Sequence, residues 1–492
     1  MTHLPVLPVV WPFGAAFLIS FIGCRSRLMA RHTAVLAGLV QLILVIVVAG
    51  AVLAVGPLEY FLGGWAPPVG IAVRVDAMAA VFLVLLGGVS LAVLVFADGG
   101  GDDAVAAPTG PWFWVLVMIL TGSMSGLVVA GDLFNLFVMV EITSIAAYGI
   151  TSITHRPRAL EASFKYLVLG SMGSGTILLA TALVYGITGQ LDIPLAGAGM
   201  AGALAAHSRA ATAALVLYLV GFALKSGLMP FHTWLPDAHA AAPTTSSALL
   251  SGLVVKVNAI AFIKIALGVW GTTLLARTPL PLVLTLFSIL AMVGGAVLAW
   301  GQTDLKRMLA YSTVGHMGYV FAGIAVGSPN ALAGSLLHGF NHALLKACLF
   351  LAAGLLVHRS GTRSIARLAG IGKAMPLAAG AFAVAALGMI GVPGTNGFVS
   401  KYYLALGSLD AGQPLLTLAV LVSSLLNGVF YLPIVINAFL QPGPPRRAGL
   451  EAPAGALLPV LVLSLLIIGL GVWPGFPLRS LLSAAQALLN GH

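Results

Sequence analysis

Residues 131–145 read Gly-Asp-Leu-Phe-Asn-Leu-Phe-Val-Met-Val-Glu-Ile-Thr-Ser-Ile. A single carboxylate, Glu141, interrupts an otherwise apolar helical run. A charge near the centre of a bilayer costs at least ~2.5–3.5 kcal/mol on insertion scales, so a chain that keeps one there has a use for it. The rest of the chain supplies the bilayer. Of its 492 residues, 60% are hydrophobic and only 7% charged, against about 25% charged in soluble domains. So few charges cannot cover a water-exposed surface, and most of this surface must face lipid. Fourteen apolar segments begin near residues 4, 33, 77, 111, 132, 163, 210, 240, 280, 308, 330, 376, 414 and 453. Most are long continuous runs of the length a membrane helix needs, not the short alternating runs of a barrel. The expected fold is an all-α polytopic membrane protein of about fourteen transmembrane helices.

Lys and Arg in the loops orient it. One set of alternate loops carries Arg25, Arg27, Arg31, Arg156, Arg158, Lys306, Arg307, Arg359, Arg363, Arg367, Lys373, Arg446 and Arg447; the other carries Arg74, Arg209, Arg277 and Arg479. The first set is assigned to the cytoplasm, and an even span count puts both termini outside. Loop 98–110 dissents with Asp98, Asp102 and Asp103, but acidic residues contribute little to this rule. The net charge of +10 therefore reflects topology. No basic run is interleaved with aromatics, and nucleic acid is not an expected partner. The first apolar stretch lacks a basic leader and is read as a retained span.

A shift of 172 residues lays Gly131-Asp132-Leu133 on Thr303-Asp304-Leu305 and Tyr185–Ile193 on Val357–Ile365. Five helices separate the copies, and an odd offset inverts the second in the membrane, as in many secondary transporters. Two segments are broken: Phe222-Ala-Leu-Lys-Ser-Gly-Leu-Met-Pro-Phe-His-Thr-Trp-Leu-Pro236 and Gly388-Met-Ile-Gly-Val-Pro-Gly-Thr-Asn-Gly-Phe-Val-Ser-Lys401. Pro removes an amide donor and Gly eases unwinding. A broken helix in each half points to an ion path.

Ionisable residues recur within the spans: Glu141, Lys225 before the first break, Lys256, His316, the series His338, His342 and Lys346, and Lys401 after the second break. The series is spaced i, i+4, i+8, which puts all three on one helical stripe. It reads as a relay wall. A two-histidine metal site is the rival, disfavoured by Lys346 one turn away. Glu141 and Lys225 are the natural ion pair, whose opening and closing would move a proton. Counting Lys165 and Lys264, all six buried basic positions are lysines, while nearly all the cytoplasmic-loop bases are arginines. Lysine gives up its proton when desolvated and arginine does not, so the contrast favours titration.

Blander readings stand beside these. Lys165 and Lys264 lie near helix ends and suit snorkelling. Glu141–Lys225 reads alternatively as a static pair, although a buried pair is a poor source of stability. His316 reads alternatively as a packing residue, and His232 and His239 as either proton-uptake groups or interfacial histidines near the cytoplasmic side. Cys24 and Cys348 read as packing thiols. The chain has no P-loop, no GxGxxG at a strand–helix turn and no haem or iron–sulfur spacing. No cofactor and no metal is expected in it.

Several stretches carry a family resemblance: Gly131–Glu141, Lys225–Pro236-Asp-Ala-His239-Ala-Ala-Ala-Pro243, Thr303-Asp-Leu-Lys-Arg-Met-Leu-Ala-Tyr-Ser-Thr-Val-Gly-His-Met-Gly-Tyr319, Phe340-Asn-His-Ala-Leu-Leu-Lys346 and Gly397-Phe-Val-Ser-Lys401. Over roughly residues 60–440 the chain resembles the proton-conducting antiporter-like membrane proteins. These are the A-type and D-type components of Mrp cation/proton antiporters and the membrane-arm components of NADH:quinone oxidoreductase and membrane-bound hydrogenases. Phe340–Lys346 looks closest to the Mrp D type and the hydrogenase type, and one respiratory branch, which carries glutamate at the position of Lys401, resembles the chain less. The resemblance implies fourteen helices, with helices 4–8 (111–270) and 9–13 (280–440) as inverted repeats, preceded by 1–110 and followed by 441–492. It implies Glu141–Lys225 as the gate, Lys256 as the central lysine, and His338, His342, Lys346 and Lys401 as the second half-channel. The expected function is proton translocation in a multisubunit cation/proton antiporter of the cell membrane, with protons and Na+ as substrates and other membrane subunits as partners. The alternatives are the proton-pumping arm of a redox complex and a structural subunit with static charges.

Overall fold

The computed structural model describes residues 3–102, 110–443 and 451–490. Among them, twelve helices are long and apolar enough to cross a bilayer. Four are α2 (Arg27–Val55), α3 (Ala77–Asp98), α5 (Leu133–Ser152) and α6 (Pro157–Thr188). The fourth crossing is α4 (Gly110–Val129). The first is the shorter α1 (Leu7–Gly23). The seventh is broken, with α7 (Ile193–Ser226) and α8 (Trp234–Ala241) as its parts. Then come α9 (Thr244–Leu275), α10 (Leu280–Trp300), α11 (Leu305–Val326) and α12 (Pro329–Ser360). The twelfth crossing is also broken, into α13 (Pro376–Ile390) and α14 (Asn396–Asp410). α15 (Pro414–Phe439) and α16 (Ala454–Val472) complete fourteen crossings, and the amphipathic α17 (Gly475–Asn490) follows.

Burial sorts these helices. In α9, α11 and α12, 94% of the apolar window is buried, against 39% in α2, α6, α10 and α16. The outer helices present side chains such as Phe17, Phe21 and Leu425 to the surroundings. A surface that apolar is solvated by lipid, and the chain is a multi-pass membrane protein. Lys256, His316, His338, His342 and Lys346 ride on α9, α11 and α12, the most buried of these helices.

The shift of 172 residues reappears in the backbone. Leu133 N donates to Leu191 O at 2.9 Å and Ile193 N to Gly131 O at 3.0 Å. The second copy repeats both bonds: Leu305 N to Arg363 O at 2.9 Å and Ile365 N to Thr303 O at 3.0 Å. Asp132 and Asp304 each cap the following helix through the amide three residues on, and α6 and α12 match residue for residue in length. Since α6 and α12 are five crossings apart, the two bridges lie on opposite faces. A two-stranded hairpin that the apolar segments alone did not reveal covers the first bridge. Its strands, β1 (Leu58–Phe61) and β2 (Ala72–Val75), pair antiparallel, and Gly131 N donates to Ala72 O at 2.9 Å. We refer to its side as the hairpin face.

Three expectations change. Lys306, placed in a loop, is buried, and its ammonium donates to Ala242 O at 3.0 Å. Lys165, counted among the buried bases, is half exposed and pairs with Glu161 at 2.7 Å and Asp237 at 3.6 Å. Cys24 is exposed, while Cys348 is buried as expected. The dissenting acidic loop has local work: Asp98 pairs with Arg31, and Asp102 accepts from the Thr245 amide and hydroxyl, both at 3.0 Å, at the start of α9. Asp103, Arg446 and Arg447 lie outside the described residues.

The second broken helix is packed through glycine. A Cβ at Gly407 would sit 2.1 Å from Ala331 N, and one at Gly334 2.4 Å from Leu404 N. Backbone on both sides leaves nothing that could yield, so α12 and α14 touch as small-residue membrane helices do. Gly407→Ala is expected to cost about 3 kcal/mol, read as a lowered unfolding temperature in detergent. Gly380→Ala, with open space around it, is expected to be neutral or stabilising by up to ~1 kcal/mol.

Candidate functional site

The first half of the site lies at the first break. α7 ends at Ser226, Gly227 takes φ 64°, and the helix resumes at Trp234. The Trp234 indole donates to the freed Leu224 carbonyl at 2.8 Å. Lys225, on the last turn of α7, is 2% exposed. Its ammonium is 3.5 Å from Glu141 Oε1 and donates to Ser144 Oγ at 2.6 Å. The Ser174 hydroxyl donates to the same Glu141 oxygen. Glu141 and Ser144 are three residues apart on α5 and therefore face Lys225 together. The carboxylate is about one-third exposed, so the pair joins a buried cation to an anion near the protein surface.

The second half gathers three histidines and two lysines. On α12 the His338 and His342 rings stack 5.8 Å apart. His316 of α11 lies against both, 5.2 Å from His338 and 4.8 Å from His342. His316 Nδ1 is 3.0 Å from His338 Nε2, and His338 Nδ1 is 3.0 Å from Ser400 Oγ, next to Lys401. Asn427 holds the other His316 nitrogen at 3.2 Å. Lys401 donates to Met389 O, Ile390 O and Ser424 Oγ at 2.8, 3.0 and 3.0 Å. Its ammonium lies 5.1 Å from the Tyr319 ring centroid. Lys346 donates to Leu309 O at 2.8 Å and to the Tyr431 hydroxyl at 3.3 Å.

Lys256 belongs to this second group and follows a π-helical turn, Leu250–Val254. Such turns often mark functional positions. Lys256 donates to Ser251 O and is close enough to His239, His316, His338, His342 and Lys346 to act on each electrostatically. His239 is fully buried and stacks on Phe350 at 5.0 Å. Neither ring nitrogen of His239 or of His342 has a hydrogen-bond partner among the described residues. His232 stands apart, half-buried beside Tyr311 at 6.2 Å. The sequence-predicted residues therefore gather into a Glu141–Lys225 pair and a cluster running from Lys256 to Lys401. Among the described residues no hydrogen bond or ion pair joins the two groups.

Sequence reading missed the residues that position these charges: Ser144, Ser174, Ser400, Asn427 and Tyr431. Each is a small or polar residue in an apolar run, and only proximity in space distinguishes it from its neighbours.

The family model described as NADH:quinone oxidoreductase/Mrp antiporter, TM matches residues 130–427, a range that holds every residue of the site except Tyr431, the partner of Lys346. NADH-quinone oxidoreductase subunit N of Desulforudis audaxviator is 36% identical, over 96% of this chain and 96% of its own length. The D component of the Na(+)/H(+) antiporter of Alkalihalophilus pseudofirmus is 30% identical, over 96% and 94%. A chain in the solved structure of the membrane-bound sulfane sulfur reductase, an archaeal respiratory membrane complex, superposes with a TM-score of 0.90 at 28% identity, covering 99% of this chain and 98% of that one.

Proposed function

Since the chain belongs to the NADH:quinone oxidoreductase/Mrp antiporter membrane family, we propose that it is the proton-translocating subunit of a multisubunit cation/proton antiporter, similar to the D type of Mrp complexes. The observation that carries this reading is the Glu141–Lys225 pair, 3.5 Å apart at a helix break. Closed, the pair holds the proton on the lysine. Opened, it leaves the ammonium in a dry site held only by Ser144, where the charged form is disfavoured and the proton departs. The cluster from Lys256 through His342, Lys346, His316 and His338 to Lys401 receives and carries it, with His239 beside Lys256 and His232 at the mouth of the break. An imidazole buried with both nitrogens unpaired costs about 1–3 kcal/mol per lost partner. His239 and His342 are therefore poor packing residues, which favours a part for them in the relay. Residues 111–270 and 280–440 act as inverted half-channels. The arginine-rich loops face the cytoplasm, and both termini and the hairpin face are outside the cell membrane. Its partners are other membrane subunits.

The relative at 36% identity supports a second reading, the proton-pumping membrane arm of an NADH:quinone oxidoreductase. One measurement separates them. The intact complex is reconstituted in liposomes with a trapped pH dye. An imposed Na+ gradient alone is expected to move protons. Movement only with NADH and quinone assigns the chain to the redox arm, and movement with neither rejects both.

A further inference from the structure

On the hairpin face lie charges that the relay above leaves unused. Lys264 follows Lys256 by eight residues on α9 and so lies on the same stripe, roughly 12 Å further along the helix. Its ammonium donates to Val128 O at 3.1 Å, at the end of α4 and four residues before Asp132. Asp132 is 7% exposed. Its Oδ1 caps α5 through the Asn135 amide at 2.7 Å. Its Oδ2 is buried and has no hydrogen-bond partner among the described residues.

A helix cap needs one carboxylate oxygen, and a serine or asparagine provides it as well. The second oxygen, buried and unpartnered, is what a proton-accepting group would present. Burial raises the Asp132 carboxyl above the ordinary aspartate value. The Asn135 and Phe134 amides oppose that shift, Asp192 adds to it and Arg74 opposes it. The surrounding charges are these same two and Glu59, Asp76 and Lys264. Arg74 binds Asp192 Oδ2 at 2.8 Å, Glu59 at 2.7 Å and Gly131 O at 3.0 Å, and Asp76 caps α3. Lys264 is within electrostatic reach of Asp76, Arg74 and Asp132. The bridge repeated in the second unit pairs Asp304 with Ser364 instead of a second aspartate. The facing carboxylates and their arginine clamp therefore belong to the first unit alone.

We propose that Lys264 and Asp132 form the port through which the first half-channel exchanges protons with solution on the hairpin face. This rests on the proton-translocating reading. A proton leaving the Lys256 ammonium crosses water to the Lys264 amine, and the resulting ammonium yields it to the Asp132 carboxylate. The acid then releases it to the outer solution, beside the Arg74–Asp192 pair. Each step runs equally in reverse, and no bond other than N–H and O–H changes.

The reconstituted complex tests this with Asp132→Asn, Lys264→Met and Lys264→Arg, its assembly checked by co-purification. Asparagine keeps the cap and cannot take the proton. Arginine keeps the charge and cannot release one. All three are expected to slow proton movement about tenfold or more, and Asp132→Asn to remove an inflection from the dependence of rate on outer pH. Wild-type rates in Asp132→Asn, or in Lys264→Arg alongside a loss in Lys264→Met, overturn the port and make these residues a structural anchor. Lys225→Ala in the same preparation keeps the two readings apart. Its failure with active port variants removes only the port, while its full activity removes the translocation reading itself.

Discussion

Lys225→Ala and Glu141→Ala are each expected to abolish proton movement by the reconstituted complex, at least ~100-fold, while the subunits still assemble. Removing one partner of a fully buried pair costs about 3–5 kcal/mol, because the other charge is stranded. Here that penalty shrinks on both sides. Without Lys225, Glu141 keeps the Ser174 hydroxyl and is one-third exposed, so it can protonate or reach polar surroundings. Without Glu141, Lys225 keeps Ser144 at 2.6 Å and can lose its proton. Neutralisation preserves the fold and removes the switch. The double variant Glu141→Gln with Lys225→Met preserves shape without charge. If it moves protons as fast as wild type, the pair is static and the chain serves as a structural subunit. Wild-type rates in either alanine variant would sink the relay just as surely.

Much of this arrangement was legible in the sequence, and the reasons are physical. Fourteen crossings follow from apolar run length, since a bilayer imposes one dimension on every span. The Glu141–Lys225 pair follows from the cost of leaving either charge alone in hydrocarbon. Short matches such as Gly131–Leu133 with Thr303–Leu305 marked a second copy whose backbone hydrogen bonds recur atom for atom. The failures share a cause. Lys306 lies two residues into α11, close to its polar cap, and sequence cannot tell a lysine pointing out to water from one reaching inward to Ala242 O. Lys165 goes the opposite way: near the start of α6, Glu161 one turn earlier and Asp237 on α8 hold it at the surface, in line with its snorkelling reading and not with its place among the buried bases. His316 reads in sequence as either a packing or a relay residue, and its 3.0 Å approach to His338, which joins α11 to α12, could not be read there. Contacts between helices distant in sequence have no local signature.

Lys401→Met is expected to fail twice, in transport and in stability, and Lys401→Arg only once. The second break frees the last carbonyls of α13, and the Lys401 ammonium donates to two of them, Met389 O and Ile390 O. Methionine would leave both without that donor, at about 1–3 kcal/mol each. It would also remove a cation from a helix C-terminus, an interaction worth up to ~2 kcal/mol where partly buried. A loss of several kcal/mol should lower the unfolding temperature in detergent clearly. Arginine has donors enough for the same carbonyls and for Ser424, so its stability should remain near wild type. It does not release its proton, so transport should fall about 100-fold all the same. A lysine that only tied off the broken helix would make the two measurements move together, with arginine restoring both. A lysine that carries protons makes them separate, and rapid transport by Lys401→Arg would assign this residue to the architecture of the break alone.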